Sequence, residues 1–352
     1  LEFLSDYGLF LAKAITIVVA VVVIIGAIAS AGQKGKPVTD GQIKVTHLSE
    51  GLKETADHLR QELLSKDEYK AYIKAQKQEE KEKLKKDKKK DKSKEAEEAP
   101  DKRLFVLNFE GDTQASAVDN LREEITAVLS IAEPQDEVLL RLESPGGMVH
   151  TYGLASSQLQ RIKNKGIKLN IAVDEVAASG GYMMACVGDH IMAAPFAIIG
   201  SIGVLAQVPN FHRLLKEHNV DFEMHTAGEY KRTLTMFGEN TDKARSKFLE
   251  ELEDTHKLFK QFIIDNRSQL DVEKVATGEH WYGSQAIDLD LIDEIKTSDD
   301  FLVEWSANFD AFEVEFEIKK SISERLAFSI KAGVESAITS LLQKDTLQRL
   351  FK

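Results

Sequence analysis

The chain has 352 residues, enough for one large domain with appendages or for two domains, and its 43% hydrophobic and 30% charged content is that of a folded protein. A formal net charge of −12 argues against a general nucleic-acid binder, which carries a basic balance. Cys186 is the only cysteine, so an intrachain disulfide and a cysteine-based zinc site are both excluded, and its apolar setting reads as a small buried hydrophobe.

In chain order, the first feature is a run of nineteen uncharged residues from Ala14 to Gly32, mostly Ile, Val and Ala. At ~1.5 Å per residue it is long enough to cross a bilayer as a helix. Residues 1–36 are therefore expected to be an uncleaved single-pass membrane anchor. Ala29-Ser30-Ala31 resembles a signal-peptide cleavage site, but the apolar run is too long for one, and Glu2 and Asp6 precede it beside a single Lys13. Lys34, Lys36 and Lys44 follow the run, so the positive-inside rule places the bulk of the chain on the cytoplasmic side.

Residues 37–100 form a charged linker. Lys81 to Lys94 holds nine lysines and three acids in fourteen residues, a composition that reads as a solvated helical stalk or a disordered tether. Its lysines would be attracted to anionic headgroups near a bilayer. No aromatic residues interleave with them, so nucleic acid is not indicated.

The folded domain is expected over 101–300. Arg103–Phe109, Glu137–Leu142, Lys168–Val173 and His190–Ala194 read as strands. Helices are expected over Gln114–Ser130, Thr151–Lys163 and Thr241–Ile264, the last with Phe248, Leu252, Phe259 and Ile263 as its buried stripe. This alternation predicts an α/β fold with a mainly parallel sheet covered by helices. Residues 301–352 are an extension, with an amphipathic helix from Ser321 to Leu342 suited to packing on the same domain or on another subunit.

Two loops leave the C-terminal ends of predicted strands, where ligands bind in open α/β sheets: Ser144-Pro145-Gly146-Gly147 and Val176 to Gly181. Ser179 stands at a strand-to-helix corner just before Gly180 and Gly181. There a hydroxyl is exposed beside backbone N–H groups that no helical bond uses, as a nucleophile attacking a carbonyl requires. A base is harder to find, since His150 and His190 are near in sequence but sit in no recognisable motif. Lysine can serve where an apolar pocket strips its proton, and Lys231 lies among Tyr230, Leu234, Met236 and Phe237. Composition alone reads Lys231-Arg232 as a solvated basic pair.

Four ordered motifs change that balance. Ser144–Gly147 (SPGG), Ala178–Ala185 (ASGGYMMA), Gly200–Val204 (GSIGV) and Gly228–Glu239 (GEYKRTLTMFGE) resemble the signal peptide peptidase A family of membrane-anchored Ser/Lys serine proteases. The resemblance implies a ClpP/crotonase-like fold of repeated ββα units. It implies Ser179 as nucleophile, Lys231 as general base, Ser201 as the hydroxyl that orients the lysine amine, and an oxyanion hole from Gly180 and the Gly146-Gly147 loop. It further implies no cofactor and no metal. The substrates would be peptides, such as remnant signal peptides or misfolded exported proteins. The assembly would be a homo-oligomer, octameric in relatives with one catalytic unit per chain, and the location the bacterial inner membrane. Family analogy places the catalytic part in the periplasm, against the lysine count. Two alternatives stand beside it: an acyl-CoA enzyme on the same scaffold, which would not need Ser179 with Lys231, and a non-catalytic membrane-anchored oligomeric scaffold.

Overall fold

A computed structural model describes residues 13, 41–90 and 102–318. The chain divides into two compact units, one of residues 43–316 and one formed by residues 1–42 with 317–352. The larger unit carries the site and all but the outermost residues of the elements that follow.

Its centre is a seven-stranded sheet. Strands β1 (Gly41–His47), β2 (Arg103–Glu110), β3 (Glu137–Glu143), β4 (Lys168–Val173), β6 (His190–Ala193), β9 (Glu294–Ile295) and β10 (Asp310–Ile318) lie in the order β1-β10-β2-β3-β4-β6-β9. From β10 to β9 every neighbouring pair is parallel. The inner strands read as continuous apolar runs because both faces are covered. Phe105, Leu107 and Phe109 of β2 point into the larger core, with helices α3 (Val118–Ile131), α4 (Val149–Asn164) and α5 (Gly180–Ala185). Leu104 and Val106, one residue out of phase, face the opposite layer with Leu139, Ala172, Met192 and Leu302. Leu302 belongs to α10 (Ser298–Ser306), whose Phe301 and Trp305 also pack there.

A second, three-stranded sheet is built from β5 (Val176–Ala178), β7 (Ile198–Gly200) and β8 (His280–Tyr282); β5 and β7 are parallel, β7 and β8 antiparallel. It was not foreseen, because each of its strands spans three residues and follows a main-sheet strand or a turn with no change in composition. Asp174 marks the departure of the first. Its carboxylate accepts from the Ser298 N–H (2.8 Å) and hydroxyl (2.6 Å), so the chain leaves β4 at a fixed bend and starts β5 two residues later.

Helices α1 (Leu48–Leu63) and α2 (Lys66–Lys90) occupy much of the stretch read as a charged linker. The start of α1 is tied to the sheet, since the Ser49 hydroxyl oxygen accepts from the Ala311 N–H of β10 at 2.9 Å. After β7 the chain enters a mostly irregular excursion containing only α6 (His212–Glu217), then α7 (Asp242–Asn266), which Thr241 caps by accepting from the Ala244 N–H. The expected stripe of α7 is buried only at its C-terminal end, at Phe259 and Ile263; Phe248 and Leu252 remain half-buried. Short helices α8 (Val272–Val275) and α9 (Gly283–Ala286) complete the unit. Arg267, 3% exposed, locks the end of α7 to the β9 approach through a bidentate pair with Asp293 (3.0 and 3.1 Å) and two bonds to the Asp290 carbonyl.

Two expectations need correction. Among the described residues no helix is long and apolar enough to cross a membrane, and the Ala14–Gly32 run lies outside them. The transmembrane helix, the bilayer contact and the inner-membrane location drawn from that run are therefore without support in the structure. The fold is α/β, but a uniform series of ββα units is also not what forms. The pattern is complete at β4-β5-α5, whereas β6-β7 runs into the irregular stretch before His212, and β3 contributes to the second layer only a single bridge between Ser144 and Ala177. The helix expected at Ser321–Leu342 lies outside the described residues.

Candidate active site

The site is assembled where the ends of β3, β5 and β7 meet. Register places Ala178 of β5 opposite Gly200 of β7, so Ser179 and Ser201 leave neighbouring strands at the same level. Both are non-glycine residues with left-handed backbone, φ 53° at Ser179 and φ 50° at Ser201. Such conformations cost of order 1–3 kcal/mol each and persist only where the surroundings impose them. At Ser179 the surroundings are explicit. Its N–H donates to the Gly200 carbonyl (2.8 Å), its carbonyl accepts from the Met183 N–H (3.0 Å), and the preceding Ala178 N–H donates to the Ser144 carbonyl (3.0 Å). Ser201 is held by its own N–H donating to the Glu279 carbonyl at 2.7 Å.

Ser179 is the N-cap of α5, and its side chain caps nothing, which leaves the hydroxyl for other work. Every residue of α5 is buried, so the Ser179 turn rests on core. A side chain at Gly180 would run into the Tyr152 ring, and one at Gly181 into the Ser144 carbonyl. The Gly146-Gly147 loop lies directly alongside. With φ 89° at Gly146, a Cβ there would come within 2.7 Å of the Gly180 nitrogen and 2.8 Å of the Ser179 Cβ, and one at Gly147 would strike the Thr113 carbonyl. These glycines are close-approach positions as much as turn positions. The Gly146 N–H is engaged by the Ser144 Oγ at 3.1 Å. Neither the Gly147 N–H nor that of Gly180, first residue of its helix, is taken up by another backbone group.

One copy of the chain thus brings together Ser179, Gly180, Gly146, Gly147 and Ser201. Lys231 makes no hydrogen bond to any of them. That residue is exposed in the excursion after β7, on a turn where its N–H donates to the Gly228 carbonyl at 3.2 Å. It lines an open hollow of mixed character with Phe222, Met224, Tyr230 and Phe248 but also Arg232 and Glu251, and Ser179 is not part of that lining. The hollow belongs to a markedly apolar surface: Leu205 is 80% exposed, and Phe211, Val220 and Phe237 are exposed as well.

The two histidines weighed as bases, His190 and His150, make no hydrogen bond to Ser179. His190 begins β6, at the edge of the sheet away from the strand C-termini, and pairs with Glu294 at 3.0 Å. His150 is exposed on the first turn of α4. Cys186 is fully buried and burial pushes its thiol up to about 12, which removes it as a nucleophile. Sequence reading missed Tyr152, Thr113 and the Thr277–Glu279 turn that supports Ser201. Nothing in their spacing marks them, because each acts through contacts distant in sequence.

With this geometry in place, comparison with known proteins is decisive. Residues 2–159 match peptidase family S49 N-terminal and residues 161–310 match peptidase family S49. The chain belongs to peptidase family S49. It is 52% identical over 348 residues to the probable protease SohB of Haemophilus influenzae, a match covering 99% of this chain and 98% of that one. It is 55% identical over 240 residues to the probable protease SohB of Buchnera aphidicola subsp. Acyrthosiphon pisum, covering 68% and 71% of the two chains. The similarity to protease 4 of H. influenzae is more distant, 27% over 201 residues and 32% of that protein's length. The family resemblance read from the four motifs is borne out, and the S49 assignment makes this a serine-type endopeptidase.

Proposed function

We propose that the chain hydrolyses peptide bonds with Ser179 as nucleophile and Lys231 as general base. The observation that carries this reading is the strained Ser179 turn, pinned between two strands and a buried helix with free N–H groups beside it. The Lys231 amine, once desolvated and neutral, accepts the Ser179 proton as its oxygen attacks the scissile carbonyl. The oxyanion that forms is held by the N–H groups of Gly180 and of the Gly146-Gly147 loop, where the Gly147 N–H is the one not already engaged. Collapse expels the amine, which takes its proton from Lys231. Water then attacks the acyl-enzyme with the same lysine as base. Ser201, level with Ser179, orients the lysine amine without adding a negative charge that would hold the proton on it.

The exposed apolar segment that carries Lys231 needs a cover to desolvate the amine, and a further copy of the chain is the simplest one. An assembled homo-oligomer is therefore part of the proposal. The substrates are extended apolar peptides of the kind left after signal-peptide removal, laid along the Ser144–Val149 edge, where Met148 and Val149 are exposed. A fluorophosphonate probe on the assembled full chain tests the nucleophile. Labelling at Ser179 that disappears in Ser179→Ala is the expected result, and labelling unchanged in that variant would refute it.

A further inference from the structure

The nucleophile turn and the Gly146-Gly147 loop come from different parts of the chain, and an oxyanion hole needs them in fixed register. The structure contains a continuous hydrogen-bonded chain that sets this register. The Tyr152 hydroxyl donates to the Asp112 carbonyl at 2.8 Å. A phenol has one proton, so the 2.5 Å contact between Tyr152 and the Ser144 Oγ must have Ser144 as donor. Ser144 in turn accepts from the Gly146 N–H at 3.1 Å. The order is therefore Gly146 N–H to Ser144 Oγ–H to Tyr152 Oη–H to the Asp112 carbonyl, with every proton assigned one direction.

Ser144 and Tyr152 are both 0% exposed. Burial, the largest influence on it, raises the Tyr152 phenol and keeps its proton in place. Charge-free chains of this kind polarise in one sense and tolerate no missing member in a dry interior.

Tyr152 also acts with its ring. The ring lies against the Gly180 backbone so closely that a Cβ at Gly180 would enter it. Phe109 packs edge-on against it, with centroids 6.4 Å apart. The same loop that supplies the Asp112 carbonyl grips the glycine loop twice more. Gly111 N–H donates to the Glu143 carbonyl (2.7 Å), and Met148 N–H donates to the Thr113 carbonyl (2.9 Å). Gly111 has no room for a side chain, since a Cβ would meet the Ser144 Oγ.

We propose that Tyr152, through Ser144, is the positioning residue that holds the two halves of the oxyanion hole in register: its hydroxyl fixes the Gly146-Gly147 loop while its ring fixes Gly180. The inference rests on the serine-peptidase reading of the preceding section. It assigns Tyr152 no contact with substrate. Removing the hydroxyl leaves the ring under Gly180 but takes away the acceptor that orients the Ser144 hydroxyl, loosening its hold on the Gly146 N–H, so the transition state loses stabilisation while the substrate is bound as before.

The test uses the full-length assembled chain as wild type, Tyr152→Phe, Ser144→Ala and Ser179→Ala. Each is measured for thermal midpoint, for kcat and KM on an apolar peptide, and for affinity toward a peptide boronic acid, which forms a tetrahedral adduct on serine. Binding of the uncleaved peptide is measured separately with Tyr152→Phe or Ser144→Ala combined with Ser179→Ala. Because loss of a single oxyanion donor lowers kcat by about 100- to 1,000-fold, misplacing one is expected to cost about 10- to 100-fold. That fall should appear in kcat and in boronate affinity in the same proportion, in both single variants. KM and uncleaved-peptide affinity should stay within about 2-fold, a split that a purely structural loss would not produce. Wild-type kcat and boronate affinity in either folded variant would overturn the proposal. A raised KM with unchanged kcat would also overturn it, by making the chain a substrate-binding element. Absence of Ser179-dependent turnover in the wild type would instead overturn the peptidase reading beneath it.

Discussion

The Ser179 corner and the excursion after β7 are built on opposite terms. The corner is core. Its helix is wholly buried, its glycines are packed against side chains and carbonyls, and its two serines are held at positive φ by strand neighbours. The excursion carries Lys231 on an exposed turn and shows Phe211, Phe222 and Phe237 to the outside, Phe237 stacked on Phe211 at 6.1 Å and tilted against Phe222 at 5.8 Å. A contiguous apolar surface of this kind marks an interaction site. On the proposed assignment, nucleophile and oxyanion donors are preorganised in the buried corner, whereas the proposed base sits on an exposed turn.

Substitutions in the two regions should therefore fail in different ways. The largest effect is expected at Lys231→Met, where peptidase activity should fall at least ~1,000-fold. The residue is exposed, so the thermal midpoint should move by no more than its change of about 0.5 kcal/mol allows. A large loss of stability at this position would erase the contrast between the regions. Gly180→Ala comes next. Its methyl would meet the Tyr152 ring in a dense interior, so about 1–3 kcal/mol of stability and about 100-fold in kcat should be lost together. Unchanged melting in that variant would mean that the corner is looser than its contacts imply. Phe211→Ser combined with Phe237→Ser should shift the assembly toward smaller species on sizing with light scattering and reduce activity in step, leaving the melting of the smaller species within about 1 kcal/mol. Full assembly with normal activity would remove the excursion from the interface.

The smallest effect lies away from both regions and calibrates them. Burial pushes the Glu124 carboxyl up to about 7 from an ordinary 4.5, despite the hydrogen bond it accepts from the Phe316 N–H at 2.9 Å. Between these values the folded chain holds a proton that the unfolded chain has released. Stability from this group is full below about 4.5, declines as pH rises toward about 7, and changes little beyond. Glu124→Gln should flatten that slope and raise the thermal midpoint at about pH 8 by the equivalent of about 2 kcal/mol. An identical slope in the variant would assign it to another group.

Much of the main sheet was legible because its strands are apolar on both faces and its helices repeat at 3.6 residues. Arg103–Glu110, Glu137–Glu143 and Lys168–Val173 form close to where their patterns place them. The second sheet was not, since Val176–Ala178 and Ile198–Gly200 are too short to show a period and are fixed by partners far along the chain. At the site, the glycines and Ser179 could be singled out by residue type. The support from Tyr152 could not, because an inward tyrosine on an amphipathic helix reads as ordinary core until the Ser144 and Asp112 contacts are seen. The stripe of α7 was overread for a related reason. Phe248 and Leu252 have helical spacing with Phe259 but find only partial cover, and Phe248 lines the hollow of the exposed excursion.

The most direct test is peptidase activity of the assembled full chain on short apolar peptides, followed from about pH 6 to about pH 10 beside Ser179→Ala and Lys231→Ala. The expected result is turnover that rises with pH, as a lysine base loses its proton, and that vanishes in both variants. Turnover persisting in Lys231→Ala with a wild-type pH profile would contradict the Ser/Lys account.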